Sequence, residues 1–265
     1  MDKAIHVLGQ KGGVARRVDL FRAGVTEAQL RKAVKEEQIV RTVRGIYALP
    51  GSPSSLNSIY AAKALPACVT AAKLHGLWVL HEPAELHVAV DHGRPLRAFK
   101  VHRHAGVPSE LDVLEQCMRC LPELEALVIV ESAVVQGHVR MSEMRDRLSG
   151  RNDAKLRRIS DQINPHSESI IETVGRYHLQ KAGYHVQTQV RVQGVGRLDL
   201  FVDGVLGVEV DGAGYHSSRE AYREDRRRWN RLTRGAVPIL RVTYEMAVHQ
   251  PVSFIALVRE TLANL

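Results

Sequence analysis

Apolar and polar positions along this chain change period several times, and each change marks an element. Leu30, Ala33 and Val34 recur at helical spacing behind Thr26, which predicts a capped helix from Glu27 to about Glu37 with Arg31, Lys32 and Lys35 outside. Two β-rich pieces, IVRTV and IYALP, follow, joined through Arg44-Gly45. Helices followed by a hairpin carrying Arg41 and Arg44 have the order of a winged helix-turn-helix, in which one helix enters the major groove and the wing meets the backbone. The turn-rich run Pro50 to Ser55 predicts a boundary. From Asn57 to about Gly150 helical stretches surround one clear strand, Leu86 to Val90.

The last hundred residues alternate more sharply. Ser167 to Ala182 reads as a helix with Ile170, Ile171, Val174 and Tyr177 inward, ended by Gly183. RLDLFV and VLGVEVD are strands around the hairpin signal Asp203-Gly204. Ser217 or Ser218 caps a basic helix that stops at Gly235; AVPILRVTY is a buried strand and Val252 to Leu262 a closing helix. The fold class expected is α/β (α+β): a winged helix-turn-helix over residues 1–52, a small mixed domain over 57–150, and a third domain over 161–265.

Composition narrows the partners. The 265 residues carry a net charge of +8, with a pI near 9.6, so a polyanion is attracted without any specific contact. Between nucleic acid and an anionic membrane surface, nucleic acid is the expected partner. No uncharged run approaches the roughly 20 residues that span a bilayer, so no membrane contact and a cytoplasmic location are expected. Three cysteines, Cys68, Cys117 and Cys120, with no secretory signal predict reduced thiols rather than a disulfide framework. Cys117 and Cys120 have CxxC spacing, but no second pair completes a zinc site, and structural burial is expected. The histidines His75, His81, His87, His92, His102 and His104 match no ligand spacing.

Carboxylates inside apolar strands need a reason, because an unpaired buried charge costs several kcal/mol. Asp199 interrupts RLDLFV, and Glu209 and Asp211 interrupt VLGVEVD two residues apart, hence on one face. A two-residue loop at Asp203-Gly204 would put Asp199 on the wrong side. A three-residue loop, Val202-Asp203-Gly204 with Gly204 left-handed, makes all three face one way. Such a set suits a hard cation, which takes oxygen ligands. Ser169-x-x-Glu172 fits a capping box, a local rival to any catalytic part for Glu172.

Asp199, then Glu209-Val210-Asp211-Gly212 and Tyr215-His216, after a helix bearing Glu172, resembles the PD-(D/E)xK nuclease superfamily and, within it, the actinobacterial domains related to very short patch repair (Vsr) endonucleases. The resemblance covers about Ser167 to Leu265. It implies a Vsr-like restriction-endonuclease fold, Mg²⁺ or Mn²⁺ as cofactor, and phosphodiester cleavage. It further implies Asp199, Glu209 and Val210 as the metal set and Glu172, Asp199, Glu209, Asp211 and His216 as catalytic residues. Asp211 stands where the superfamily usually has lysine, which leaves His216 as the substitute base or phosphate contact. The basic helix that follows offers Arg223, Arg227, Arg231 and Arg234 on one stripe toward a phosphate backbone.

GGVARRVDLFRAGVTEAQLRKAV followed by RTVRGIYALPG resembles the winged-helix domain of AbiEi-type antitoxins, which implies DNA binding through Arg31, Lys32, Arg41 and Arg44. The function expected is a DNA-targeting, metal-dependent endonuclease in repair or in defence against phages and mobile elements. The alternative is an antitoxin-like transcriptional regulator whose nuclease-like domain is inactive. Reading a palindrome would require a homodimer, and the sequence identifies no toxin partner.

Overall fold

A computed structural model describes residues 2–193, 196–211 and 237–265. The chain divides into two compact units, residues 1–120 and 121–265.

In the first unit, α1 (Lys3–Gln10) leads through β1 (Val14–Arg16) into α2 (Arg17–Arg22), α3 (Glu27–Lys35), β2 (Val40–Val43) and β3 (Ile46–Ala48). Thr26 caps α3 with a full capping box: its hydroxyl accepts from the Gln29 N–H, and Gln29 Oε1 accepts from the Thr26 N–H. The strand order is β1-β3-β2, so β2 and β3 form a wing whose outer strand β2 is exposed at every residue. Ala4, Leu8, Leu20, Leu30, Ala33 and Ile39 close the core behind α3.

The turn-rich run does not separate compact units. Ser52 Oγ donates to the Gly13 carbonyl at 2.9 Å, and Val14, Ile46 and Ala48 of the winged sheet share one apolar cluster with Leu56, Ile59, Val88 and Val90. The rest of the unit is α4 (Ser54–Ala61), β4 (Leu65–Pro66), α5 (Cys68–Leu74), β5 (Leu86–Val90), β6 (Phe99–Arg103) and α6 (Glu110–Cys120), with the sheet ordered β4-β5-β6.

The second unit starts with α7 (Glu123–Val135), α8 (Met141–Arg147) and α9 (Ala154–Ser160), before α10 (Ile170–Lys181). It continues with β7 (Val186–Val192), β8 (Gly196–Val202), β9 (Leu206–Asp211) and β10 (Ile239–Thr243), a π-helical turn over Glu245–His249, and α11 (Pro251–Ala263). The sheet runs β10-β9-β8-β7, parallel between β10 and β9 and antiparallel elsewhere. Strand β7 was not marked by the apolar pattern of the sequence, because its burial never rises above intermediate. The segment expected over 57–150 is shared: its sheet belongs to the first unit, while α7 and α8 belong to the second.

Helix α10 is buried on almost every side, from Ile171 to Arg176. Gly175 lets it lie against the sheet, since a Cβ there would come within 3.1 Å of Leu200 and 3.5 Å of Val210. On another side, Glu131 of α7 accepts from Thr173 Oγ1 and the Asn164 N–H, both at 2.6 Å, and pairs with the Arg176 guanidinium. The fully buried Glu131 makes α7 part of this unit's core, so a fragment beginning near residue 161 would leave Arg176 without its counter-charge. Among the described residues no helix is long and apolar enough to cross a membrane.

Candidate functional site

The hairpin between β8 and β9 sets the geometry of the carboxylates. Val202 pairs with Leu206, so the loop is Asp203-Gly204-Val205, odd in length as the side-chain alternation requires, though shifted by one residue. Asp203 at φ 49° and Gly204 at φ 74° are both left-handed, and the Val205 N–H closes the turn on the Val202 carbonyl at 3.1 Å. The Asp203 carboxylate accepts from the His185 N–H at 2.8 Å, which fixes the turn against the start of β7.

The pairs Leu200–Val208 and Val202–Leu206 define a register that, continued by one residue, sets Asp199 opposite Glu209. There the ladder ends. Asp199 Oδ2 accepts from the Val210 N–H at 3.1 Å, using a donor that a regular ladder would give to a carbonyl. Leu206, Val208 and Val210 are buried as expected, yet Glu209 is only 5% exposed as well. Its counter-charge is Arg241, its register partner on β10, with Nε 3.5 Å from Oε2. On the other flank, Gln189 occupies the position across from Asp199, between the pairs Thr188–Leu200 and Val190–Leu198. One line across four strands therefore reads Gln189, Asp199, Glu209, Arg241. A polar row through the middle of a sheet whose flanking residues include Leu198, Leu200, Val208 and Val242, all fully buried, is not what burial alone would select.

Glu172 joins this row from α10. Its Oε1 accepts from Ser169 Oγ at 2.8 Å, and its Oε2 from the Glu168 N–H at 3.1 Å and from Gln189 Nε2 at 2.8 Å. Ser169 in turn caps the helix through the Glu172 N–H, so the carboxylate that completes the cap also accepts from Gln189 on β7. Burial pushes its carboxyl above the usual carboxylate range, the three donors oppose that, and the charge of Asp199 adds to it. Because the Nε2 end of Gln189 faces a carboxylate, its orientation is fixed, and Gln189 Oε1 is left buried with no hydrogen-bond donor among the described residues. Register places Gln189 and Glu209 on either side of Asp199, so the three positions carry oxygen-bearing side chains, the donor type that hard cations take.

Asp211 ends β9, across from Thr243. His216 and the stripe Arg223, Arg227, Arg231 and Arg234 lie outside the described residues. The sequence reading missed Arg241 and Gln189; their signal was a polar residue inside a strand, the same signal that singled out Asp199.

In the first unit, Arg31 and Lys32 are exposed on α3, paired along the helix with Glu27 at 3.3 Å and Glu36 at 3.9 Å. Arg41 is exposed on β2, and Arg44 is exposed in the turn that joins β2 to β3. The same unit corrects the reading of its cysteines and histidines. Cys117 is fully buried as expected, but Cys120 lies with Cys68, His87 and His102, whose ligand-capable atoms are all within 4.8 Å of one another. These four come from separate elements, so no sequence spacing announced them. The Cys117 thiol, together with His102 and His87, holds the Cys68 thiol down to about 3, while burial pushes Cys117 up.

Comparison with functionally characterised proteins returns no match to this chain. Family models match at both ends. The family described as transcriptional regulator, AbiEi antitoxin, matches residues 2–50, and the restriction endonuclease-like family REase_MTES_1575 matches residues 172–262. The chain is thus similar at its N-terminus to AbiEi antitoxin regulators and, over the segment that carries the polar row, to restriction endonuclease-like domains.

Proposed function

We propose that the chain is a DNA-binding, divalent-metal-dependent endonuclease, its winged helix engaging duplex DNA and its second unit hydrolysing the phosphodiester. The observation that carries this reading is the polar row Gln189, Asp199, Glu209, Arg241, with Glu172 locked onto it from α10. Asp199, Glu209 and Val210 would hold the cation, with Gln189 Oε1 as a further oxygen. When bound, Mg²⁺ or Mn²⁺ supplies Lewis acidity toward the phosphoryl oxygen and a more acidic water. Arg241 balances Glu209, and supplies positive charge beside the position where Asp211 replaces the usual lysine. Glu172, with its pKa raised, is poised to hold a proton or orient a water, while His216 or Asp211 takes the proton of the attacking water. Roles in repair or in defence against mobile DNA both fit a nuclease joined to a regulator-like DNA reader.

The second reading is an antitoxin-like regulator with a catalytically silent nuclease-like unit, favoured by the Glu209–Arg241 pairing and by the missing lysine. Supercoiled plasmid incubated with the protein and Mg²⁺ or Mn²⁺ separates them. Nicking or linearisation lost in Asp199→Asn and in Glu209→Gln, with DNA affinity retained, supports the enzyme; DNA binding with no cleavage under either metal supports the regulator.

A further inference from the structure

We propose that Cys68, His87, His102 and Cys120 form a structural zinc site that ties α5, β5, β6 and α6 together. Two thiols and two imidazoles are the donor set of closed, tetrahedral zinc centres. Their spacing is close to what the ion demands. Zn–N bonds of about 2.0–2.1 Å and Zn–S bonds of about 2.3 Å give tetrahedral edges of roughly 3.3–3.8 Å. His87 Nδ1 lies 3.1 Å from His102 Nε2 and 3.9 Å from Cys120 Sγ, and all four ligand atoms fall within 4.8 Å. Side-chain adjustments of a few tenths of an ångström to about one ångström would close the tetrahedron.

The backbone around the cluster is built for this. In the parallel pair β5–β6, His87 stands opposite Lys100 and Ala89 opposite His102, so the two histidines are a two-residue step apart on one side of the sheet. Cys68 adopts φ 47°, a left-handed conformation that a cysteine takes up only under constraint. That conformation is fixed by its N–H, which donates to Gln116 Oε1 at 2.9 Å, one turn before Cys120 on α6. The Ala67 N–H donates to the His87 carbonyl at 3.1 Å, and the His87 N–H to Thr70 Oγ1 at 2.8 Å. Cys68 and His87 are buried, while His102 and Cys120 are half-buried and give the ion a way in. With four protein ligands there is no open position for substrate, so the role is structural. The soft donors also separate this site from the oxygen donors of the second unit.

The test is metal analysis of the full-length protein purified from zinc-supplemented cells without chelator. The expected result is one zinc per chain, retained in Cys117→Ala and in Asp199→Asn and lost in Cys120→Ser and His102→Asn. As a measurement that needs no variant, the wild-type chain stripped of metal should bind one Co²⁺ with a thiolate-to-cobalt charge-transfer band and intense tetrahedral ligand-field bands. Chelation should lower the melting temperature of the first unit, and added zinc should restore it. Wild-type protein with less than a tenth of an equivalent of zinc and no thiolate band on Co²⁺ titration would overturn the proposal, as would full zinc retention in soluble Cys120→Ser.

Discussion

The charged groups around α3 in the first unit and those packed against α10 in the second differ in burial. Around α3 the pairs Arg17–Glu27, Arg31–Glu27 and Lys32–Glu36 lie on the surface, at 2.5, 3.3 and 3.9 Å. Around α10 the charged groups Glu131, Glu172, Arg176 and Glu209 are all at most 6% exposed. Exposed pairs are screened and contribute little, so their cations can be given over to a phosphate backbone with small loss. Buried carboxylates tolerate no such exchange, because each must keep named partners or leave an uncompensated charge. The ion pairs around α3 can therefore exchange partners at small cost, whereas the buried groups around α10 are held by theirs.

That contrast is most easily broken at Glu131. Glu131→Ala leaves Arg176 buried without its carboxylate and should cost about 3–5 kcal/mol, read as a lower denaturation midpoint for the second unit. Glu27→Ala on α3 should not move the midpoint measurably. Equal shifts would mean that burial does not separate the two classes. For the same reason the fragment 121–265 should fold, whereas one beginning at residue 161 should expose apolar surface to a fluorescent dye.

Removing an oxygen from the polar row comes next in size. Asp199→Asn should slow single-turnover plasmid cleavage by roughly a hundredfold or more while its circular dichroism stays native, because several kcal/mol of transition-state stabilisation depend on the metal set. A variant cutting at wild-type rate would remove Asp199 from the chemistry.

On the docking side, neutralising Arg41 and Arg44 together should weaken duplex binding and reduce the slope of log affinity against log salt by roughly one unit per lost phosphate contact. Cleavage of DNA already bound at saturation should be little changed. A salt slope equal to that of the wild type would show that the wing does not carry the contacts.

The smallest effect is at Glu172. Its folded pKa lies above the unfolded one, so the folded state holds the proton more tightly; the associated stability is present below the unfolded pKa and lost as pH rises through the folded pKa. Glu172→Gln can accept from the Glu168 N–H and Gln189 Nε2 through its oxygen and donate to Ser169 Oγ through its amide. It should stay within about 1 kcal/mol of wild type at neutral pH and gain on the wild type as pH rises from the acid side. A variant that falls progressively below wild type as pH rises would reverse the assigned sign.

Much of the candidate site could be read one residue at a time. An acidic residue inside an apolar strand is improbable in itself, which is why Asp199 and Glu209 stand out without coordinates. Glu172 was legible as a capping-box residue, and the structure shows its carboxylate bonded to Ser169 as well as to Gln189. Arg241 and Gln189 carry the same signal more faintly, since a long polar side chain at a half-buried strand position is common. Cys68, His87, His102 and Cys120 carry none, because ligands drawn from two helices and two strands leave no characteristic spacing.

The sequence by itself determined the local elements: the Thr26 cap, the period of α3, the wing, and the odd loop that alternation demands if Asp199 and Glu209 are to meet. These follow from forces acting over a few residues, where capping hydrogen bonds and side-chain period decide. What the tertiary structure decided is which distant residues share one cross-section. Strand register aligned Gln189, Asp199, Glu209 and Arg241, and parallel pairing of β5 with β6 brought His87 to His102. Packing made Glu131, far from the carboxylates in sequence, the counter-charge of their supporting helix. Such pairings depend on long-range burial, which sets register through the summed packing of whole faces rather than through any residue's neighbours in the chain.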